Sequence, residues 1–415
     1  MINGSSLITA RQTQGMLLDD TNSQVDMVRM RGYRLQRVQQ QLRERDYGAA
    51  VLYDPINIRY ASGSRNMAVW TSHAPARYLL VPVEGRCILF DYFNSEHLAE
   101  GLETIVEIRS ARGWYFFVGG TRSEERSEQW AGALVDALTE LVGDNRRVAF
   151  DRLDPFGLRA MEKRKYSILD GQEICEMARA VKSPDEIACI NYSLAVCDVG
   201  MARMRDALRP GVTENAIWAE LHHANIELGG EWIETRLLSS GSRTNPWFQE
   251  SSDNIIRTGD LVSFDTDMIG PFGYCADVSR TYFCGPGKPT AAQRTFYALA
   301  YEQIQHNMEL VAPGVSFQEY AEKAWKIPDK YWKNRYGSLA HGVGLCDEWP
   351  IIGHAGDDRA NYPGELVPGM TICIESYIGE KGGKEGVKLE QQLLVTDYGH
   401  KLLSTFPFEA ELMGS

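Results

Sequence analysis

The sequence predicts an α/β (α+β) protein with two domains. Helical and strand-like segments alternate over the N-terminal part, a capped helix begins near Ser183, and the chain beyond Gly259 is mostly strand-like. The length of 415 residues also exceeds the roughly 250–300 residues at which a single hydrophobic core stops growing. We expect an N-terminal arm over residues 1–25, an α/β domain over residues 26–176 and a second domain over residues 177–415.

The first domain is predicted from segments of helical and strand-like periodicity. Apolar residues at mostly helical spacing indicate an amphipathic helix from Met27 to Arg45, and a second helix is indicated from Glu128 to Val142. Short apolar runs bounded by turn residues predict strands. These are Gly48 to Tyr53, Tyr78 to Val83, Cys87 to Phe90 and Arg147 to Phe150.

The second domain begins with a helix start signal. In Ser183-Pro184-Asp185-Glu186 the serine can cap, the proline suits the first turn and the acids favour the positive end of the helix dipole. We expect this helix to reach about Leu208 and, after a break at Pro210-Gly211, a second one to reach Leu228. Further helices are predicted from Ala291 to Val311 and from Phe317 to Trp325.

Composition excludes several classes of function. The formal net charge of −13 argues against a nucleic-acid or anionic-membrane surface. No stretch approaches the ~18 apolar residues of a membrane span, and residues 1–24 lack the pattern of a secretory signal. The eight cysteines are scattered without CxxC spacing, which favours reduced thiols in a cytoplasmic protein.

A histidine among glycines lies between strand-like segments that carry acids. Asp265 and Asp267 lie two positions apart. Since alternate residues of a strand point to one side, both are expected to face one site. Two cations close together need bridging carboxylates, a role that suits Asp277 and Glu390. The candidate ligands for a pair of divalent cations are Asp265, Asp267, Asp277, His341, Glu375 and Glu390.

The residue types also indicate which metals are suitable. Carboxylates suit hard or borderline cations, and one imidazole shifts the preference toward iron, manganese, cobalt or zinc over calcium. The alternative is that the aspartates are turn or surface carboxylates and His341 is a core histidine. Their apolar strand context weakens this alternative, because unpaired buried carboxylates are costly.

Several segments after residue 180 resemble the creatinase/prolidase superfamily, which includes methionine aminopeptidase and aminopeptidase P. The resemblance implies a pita-bread catalytic domain preceded by the family's usual α/β domain. The matching segments are Lys182 to Glu186, Pro210 to Glu214, Gly259 to Val262, Gly273 to Thr281, His341 to Leu345, Pro368 to Met370 with Glu375, and Leu389-Glu390 with Val395-Thr396.

The chain departs from the peptidases of this superfamily at two positions. Those peptidases often carry one histidine four residues before the metal histidine and another shortly after it, where this chain has Gly337 and Asp347. Asp267 is an additional acid beside the first expected ligand. These departures argue against peptidase activity, so an Xaa-Pro metallopeptidase is only the alternative function. A catalytically inactive pita-bread domain that binds a partner protein is a third hypothesis.

Within the superfamily the chain is similar to the DddP-type dimethylsulfoniopropionate lyases. This resemblance implies ligation by the six candidates, Asp347 as catalytic base, and β-elimination to dimethyl sulfide and acrylate, in a homodimer. It implies two divalent ions, with iron favoured and zinc, manganese, cobalt, nickel or copper as alternatives. The segments that carry it are Asp46 to Gly48, Pro55 to Ala61, Gly229 to Arg236, Thr244 to Glu250, Phe264 to Asp267 and His341 to Pro350.

The implied reaction makes two further demands on the site. An aspartate base needs a raised pKa, so we expect a dry pocket around Asp347. The substrate is a small zwitterion whose sulfonium would favour aromatic faces. The aromatic candidates for this contact are Tyr336, Trp349, Trp247 and Trp70.

Overall fold

The computed structural model describes residues 25–357 and 362–414. Within this range the chain divides into two compact units, Asp26–Arg179 and a unit that starts at Ala180. The sequence places the domain boundary between residues 176 and 177, three residues before the division between Arg179 and Ala180. The exact domain bounds stay a prediction. The arm expected over residues 1–25 lies outside the described residues, apart from Val25.

The N-terminal unit is built on one mixed six-stranded sheet of order β4-β3-β2-β1-β5-β6. Its strands are β1 (Ala49–Leu52), β2 (Tyr78–Pro82), β3 (Cys87–Asp91), β4 (Ile105–Ser110), β5 (Arg147–Phe150) and β6 (Ser167–Asp170). Its helices are α1 (Met27–Glu44), α2 (Pro55–Ser62), α3 (Ala68–His73), α4 (Phe116–Gly119), α5 (Ser123–Val142), α6 (Pro155–Lys163) and α7 (Gln172–Arg179).

The C-terminal unit contains three antiparallel sheets, of order β11-β10-β7, β12-β9-β8 and β14-β13-β15-β16-β17. Its strands are β7 (Trp232–Ile233), β8 (Leu238–Ser240), β9 (Leu261–Asp265), β10 (Met268–Ile269), β11 (Cys275–Ala276), β12 (Ser279–Phe283), β13 (Ala340–Val343), β14 (Asp347–Ile352), β15 (Thr371–Gly379), β16 (Gly386–Thr396) and β17 (Gly399–Leu402). Its helices are α8 (Pro184–Ala207), α9 (Glu214–Glu227), α10 (Ala291–Glu309), α11 (Phe317–Lys323), α12 (Asp329–Trp332) and α13 (Ala410–Met413).

Helix α8 begins where the sequence predicts it. The Ser183 hydroxyl accepts from the Glu186 backbone N–H while the Glu186 carboxylate accepts from the Ser183 N–H, a complete capping box. Thr213 caps α9 by a single hydrogen bond, in which its hydroxyl oxygen accepts from the N–H of Ala216. These caps confirm the two predicted helix starts.

Strands β12 and β16 connect two sheets of the C-terminal unit. The Thr281 hydroxyl donates to the Lys388 carbonyl, and the fully buried Arg280 guanidinium donates to the Glu390 carbonyl at 2.7 Å. Unpaired buried backbone carbonyls are costly, so these contacts hold the two strands in register. The acids at the end of β9 are thereby brought beside the acids of β15 and β16.

Two further expectations concern cysteines and membranes. The eight cysteines are all free thiols, seven of them buried and Cys346 partly exposed. No described helix combines the length and apolar character that crossing a bilayer requires.

Candidate metal centre and catalytic site

One face of the five-stranded sheet carries a ladder of polar side chains. Glu375 on β15 lies directly opposite Glu390 on β16, and His341 on β13 lies opposite Cys373, two residues before Glu375. Residues two apart on a strand share a face. The antiparallel register therefore gathers one imidazole, two carboxylates and one thiol on the same side of the sheet.

Three aspartates approach this ladder from the neighbouring strands. Asp265 ends β9, and Asp277 lies between β11 and β12. Asp267 has a left-handed backbone with φ of 36°, a conformation that aspartate tolerates better than most residues. The Thr235 hydroxyl donates a hydrogen bond of 2.6 Å to Oδ2 of Asp267. Asp265 and Asp267 thus reach one cluster, but through this turn rather than through the extended strand that we expected.

His341 is at the centre of the cluster. Its Nε2 atom lies 3.3 Å from Glu375 Oε1, 3.5 Å from Asp277 Oδ2 and 3.5 Å from Glu390 Oε1. Its Nδ1 atom lies 3.0 Å from the backbone carbonyl oxygen of Gly342. A contact of this kind on one ring nitrogen orients the other toward a ligand.

The potential ligand atoms form three overlapping groups in which all atoms lie within 4.8 Å of one another. All six residues predicted from the sequence belong to these groups. Cys373 joins them as a buried thiol that the sequence reasoning did not single out. The groups are Asp277, His341, Cys373 and Glu390; Asp265, Asp267 and Asp277; and Asp265, Glu375 and Glu390.

Two buried oxygen atoms test whether the residues of the cluster fit a cation. Asp277 Oδ1 and Glu390 Oε1 have no hydrogen-bond partner in the part of the chain that the structure describes. A buried carboxylate oxygen without a partner is costly unless a positive charge compensates it. Carboxylate oxygens with an imidazole form a donor set for borderline divalent cations, so the residues present fit a metal pair.

The carboxylates of the cluster repel one another, because their oxygen atoms lie within 4.8 Å of one another in each group. Burial raises the pKa of Asp267 to about 7, and the nearby Asp347 adds to the rise. Burial and Glu390 likewise raise the pKa values of Asp265, Asp277 and Glu375. Bound cations would reverse this effect, because they stabilise the ionised forms.

Lys388 is a cation that the sequence analysis missed. Its fully buried Nζ atom lies 3.2 Å from Asp265 Oδ2, 2.5 Å from Glu375 Oε2 and 3.1 Å from Glu390 Oε2. Burial alone would raise the pKa of Glu390, but Lys388 and His341 outweigh it and hold that pKa well below its usual value. Lys388 therefore keeps part of the cluster ionised.

Asp347 begins β14 beside the cluster. Its Oδ1 atom lies 3.8 Å from His341 Nδ1, and its side chain is 59% exposed. The surrounding protein reduces hydration enough to raise the pKa of this carboxyl, although the charge of His341 opposes the rise. The raised pKa agrees with our expectation, but the expected dry pocket is wrong for this structure because the side chain reaches solvent.

Two of the four aromatic candidates lie near Lys388. Its Nζ atom is 4.6 Å from the ring centroid of Tyr336 and 5.8 Å from that of Trp247. Trp349 packs instead on Phe317 and Tyr362 at the edge of the core. Trp70 belongs to the N-terminal unit, where its ring packs on Tyr92, and its role in binding stays a prediction.

Family models match both units. Metallopeptidase family M24 covers residues 188–397, and the creatinase/prolidase N-terminal domain covers residues 34–181. The chain is 40% identical to the dimethylsulfoniopropionate lyase DddP of Roseovarius nubinhibens over 397 residues, 94% of this chain and 89% of the relative. It is 40% identical to that of Roseobacter denitrificans over 399 residues, 94% and 88% of the two chains.

The chain belongs to the DddP-type family. The fold of this DddP-type chain is also that of solved peptidase structures. An Xaa-Pro dipeptidase from Bacillus anthracis aligns with a TM-score of 0.75 and 21% identity, covering 91% of this chain and 99% of the other. At that identity the likeness shows the fold alone.

The sequence of this DddP-type chain contains a signal for both missed residues. Lys388 precedes Glu390 by two positions and Cys373 precedes Glu375 by two positions. In a strand this spacing places each pair on one face. Lys388 between the apolar residues Val387 and Leu389 is the stronger signal, since a lysine buried in a strand needs a compensating acid.

Proposed function

We propose that the protein is a metal-dependent carbon–sulfur lyase that cleaves dimethylsulfoniopropionate to dimethyl sulfide and acrylate by β-elimination. The observation that carries the proposal is the convergence of the six candidate ligands, with Asp347 beside His341 at 3.8 Å. The two similar lyases support the choice of substrate. The peptidase alternative is not favoured, because Gly337 and Asp347 replace the histidines typical of the peptidases.

The proposed ligands are Asp265, Asp267, Asp277, His341, Glu375 and Glu390. Asp277 and Glu390 suit the bridging positions, since each has a buried oxygen that accepts no hydrogen bond from the described residues. Two divalent cations together with Lys388 carry as many positive charges as these five carboxylates carry negative ones. When bound, the cations would supply Lewis acidity that stabilises negative charge developing on the substrate's carboxylate.

Asp347 is the proposed base. Its carboxylate takes the proton from the carbon next to the substrate's carboxylate, and the electron pair of that C–H bond forms the double bond of acrylate. The C–S bond breaks, and its electron pair leaves on sulfur as neutral dimethyl sulfide. A raised pKa suits this role, because an aspartate with its ordinary pKa is a weak base at neutral pH.

The surroundings of the site fit a small zwitterion. We propose that Tyr336 and Trp247 contact the substrate, because both rings already lie within 6 Å of a cation, the Lys388 ammonium. Trp349 and Trp70 stay candidates on sequence grounds.

Three finer points complete the proposal. Iron is the favoured metal, with zinc, manganese, cobalt, nickel or copper as alternatives. A homodimer rests on the resemblance to the family and is tested by light scattering on the purified chain. A cytoplasmic location is supported by the eight free cysteines.

Gas-phase detection of dimethyl sulfide from the purified, metal-replete protein tests this function. Asp347→Asn, which keeps the shape of the side chain but removes the base, is expected to lower kcat by about 10²–10⁴-fold. Asp136→Asn on the solvent-exposed side of α5 is the matched control and should keep full activity. Absence of dimethyl sulfide from the wild type, or full activity of Asp347→Asn, would refute the proposal.

A further inference from the structure

A third ring lies against the two aromatic side chains near Lys388. The ring centroid of Phe248 is 5.5 Å from that of Tyr336 and 6.4 Å from that of Trp247. Trp247 in turn lies 6.0 Å from Tyr377, which faces Lys388 across the β15–β16 ladder. The rings therefore form a continuous aromatic wall that begins at the cluster and ends at Phe248.

The backbone before Phe248 is tightly held. The Asn245 side chain donates to the carbonyls of Glu380 and Gly383, and its Oδ1 atom accepts from Tyr377 and Asn334. Its hydrogen-bonding capacity is thus fully used. The loop that carries Phe248 is thereby anchored at Asn245, three residues earlier, to the turn between β15 and β16.

Phe248 is unfavourable for stability in two ways. Its φ of 72° is in the left-handed region, which a bulky residue rarely adopts, and the residue is 62% exposed. Exposed phenylalanine contributes little to the core, so packing does not offset this strain. Strain of this kind is typically retained at ligand sites.

Charge determines which end of the proposed substrate faces Phe248. Lys388, bonded to three carboxylates, is a fixed cation on the buried side of Tyr336. These carboxylates compensate its charge, and under the proposed function the cations take the substrate's carboxylate. The sulfonium end then lies on the side of the aromatic rings, which run from Tyr336 and Trp247 to Phe248.

Resting on the function proposed above, we infer that Phe248 is a specificity-determining residue that, with Tyr336 and Trp247, forms an aromatic pocket for the cationic end of the substrate. The strained backbone presents this ring to a ligand rather than to the core. The pocket selects β-substituted propionates whose substituent carries a positive charge over neutral ones of the same shape.

Calorimetric titration of the metal-replete protein with two ligands tests the pocket. One is 3-(trimethylammonio)propanoate, and the other is its neutral isostere 4,4-dimethylpentanoate. Because both have the same carboxylate and shape, the ratio of their dissociation constants isolates the preference for charge. Phe248→Leu is expected to reduce that preference by about two- to fivefold, while Phe248→Tyr keeps it.

One control variant and one further test variant separate binding from folding. Phe117→Leu, at an 81% exposed phenylalanine of the other unit, should leave the preference unchanged. Phe248→Gly removes the backbone strain, so it should lose the preference while melting no lower than the wild type. An unchanged preference in Phe248→Leu, or a clearly lower melting temperature in Phe248→Gly, would overturn the inference.

The outcome is also distinguishable from failure of the proposed function. Release of dimethyl sulfide with an unchanged preference in Phe248→Leu would overturn the pocket alone. A preference for the cationic ligand that depends on Phe248, without release of dimethyl sulfide, would support the pocket and overturn the lyase reaction.

Discussion

A fully buried ammonium contacts three carboxylates of the candidate metal centre. Lys388 is cationic there because Asp265, Glu375 and Glu390 raise its pKa well above the usual value, against the opposing effect of burial. Removing one partner of a buried ion pair costs far more than replacing both partners by apolar residues, since the remaining charge is left uncompensated. The local charge balance of the cluster thus depends on this one residue.

Replacing this ammonium tests its contribution. Lys388→Met is expected to destabilise the metal-free protein by about 3–5 kcal/mol, measured as the free energy of unfolding in urea. Lys381→Met, at an exposed lysine in the turn between β15 and β16, is the matched control and should change stability by less than about 0.5 kcal/mol. Equal stability of Lys388→Met and wild type would show that the ammonium does not stabilise the cluster.

At the scale of elements, the sequence predicts helices that begin with a cap and strands that are buried. Helices α8 and α9 begin at predicted caps, and β5 matches its predicted bounds of Arg147 to Phe150. The start of α5 at Ser123 lies five residues before the predicted Glu128, because the first turn, Ser-Glu-Glu-Arg, has little apolar signal. The edge strand β4 was missed for a similar reason, since most of its residues are exposed or half-buried.

The candidate site was predictable only where its residues differ from their surroundings. Acids such as Asp277 and Glu390 in apolar strands indicate a metal centre, because isolated burial of a carboxylate is costly. Phe248 carries no such signal, since a phenylalanine in a loop looks like an ordinary hydrophobic residue. Its role depends on a left-handed φ and on ring contacts, which only the folded backbone reveals.

At the scale of the whole molecule, the metal centre links stability to pH. In the metal-free protein the pKa of Asp267 is about 7, whereas in an unfolded chain it is about 3.9. The folded state therefore binds this proton more tightly, which stabilises it at low pH. That stabilisation is lost progressively as the pH rises from about 3.9, and it is gone once the pH has passed about 7.

The melting temperature of chelator-treated protein is accordingly expected to fall between about pH 5 and pH 7 through the titration of Asp267, and this contribution levels off above pH 7. Asp267 alone contributes up to about 1.4 kcal/mol per pH unit between the unfolded pKa of about 3.9 and the folded pKa of about 7. Scanning calorimetry at several pH values measures the effect. The slope of the unfolding free energy against pH reports the difference in bound protons, and Asp267→Asn should reduce that difference by about one proton. A melting temperature that rises over this interval would contradict the assigned protonation of the cluster.

The metal content of the intact chain tests the central claim, that six distant side chains converge to hold two cations. Protein reconstituted with Fe²⁺ without oxygen and then desalted is analysed by elemental mass spectrometry. We predict two ions per chain in the wild type and in Asp136→Asn, and less than one in Glu390→Gln, which lacks a proposed bridging carboxylate. Two ions retained in Glu390→Gln, or none in the wild type, would contradict the account.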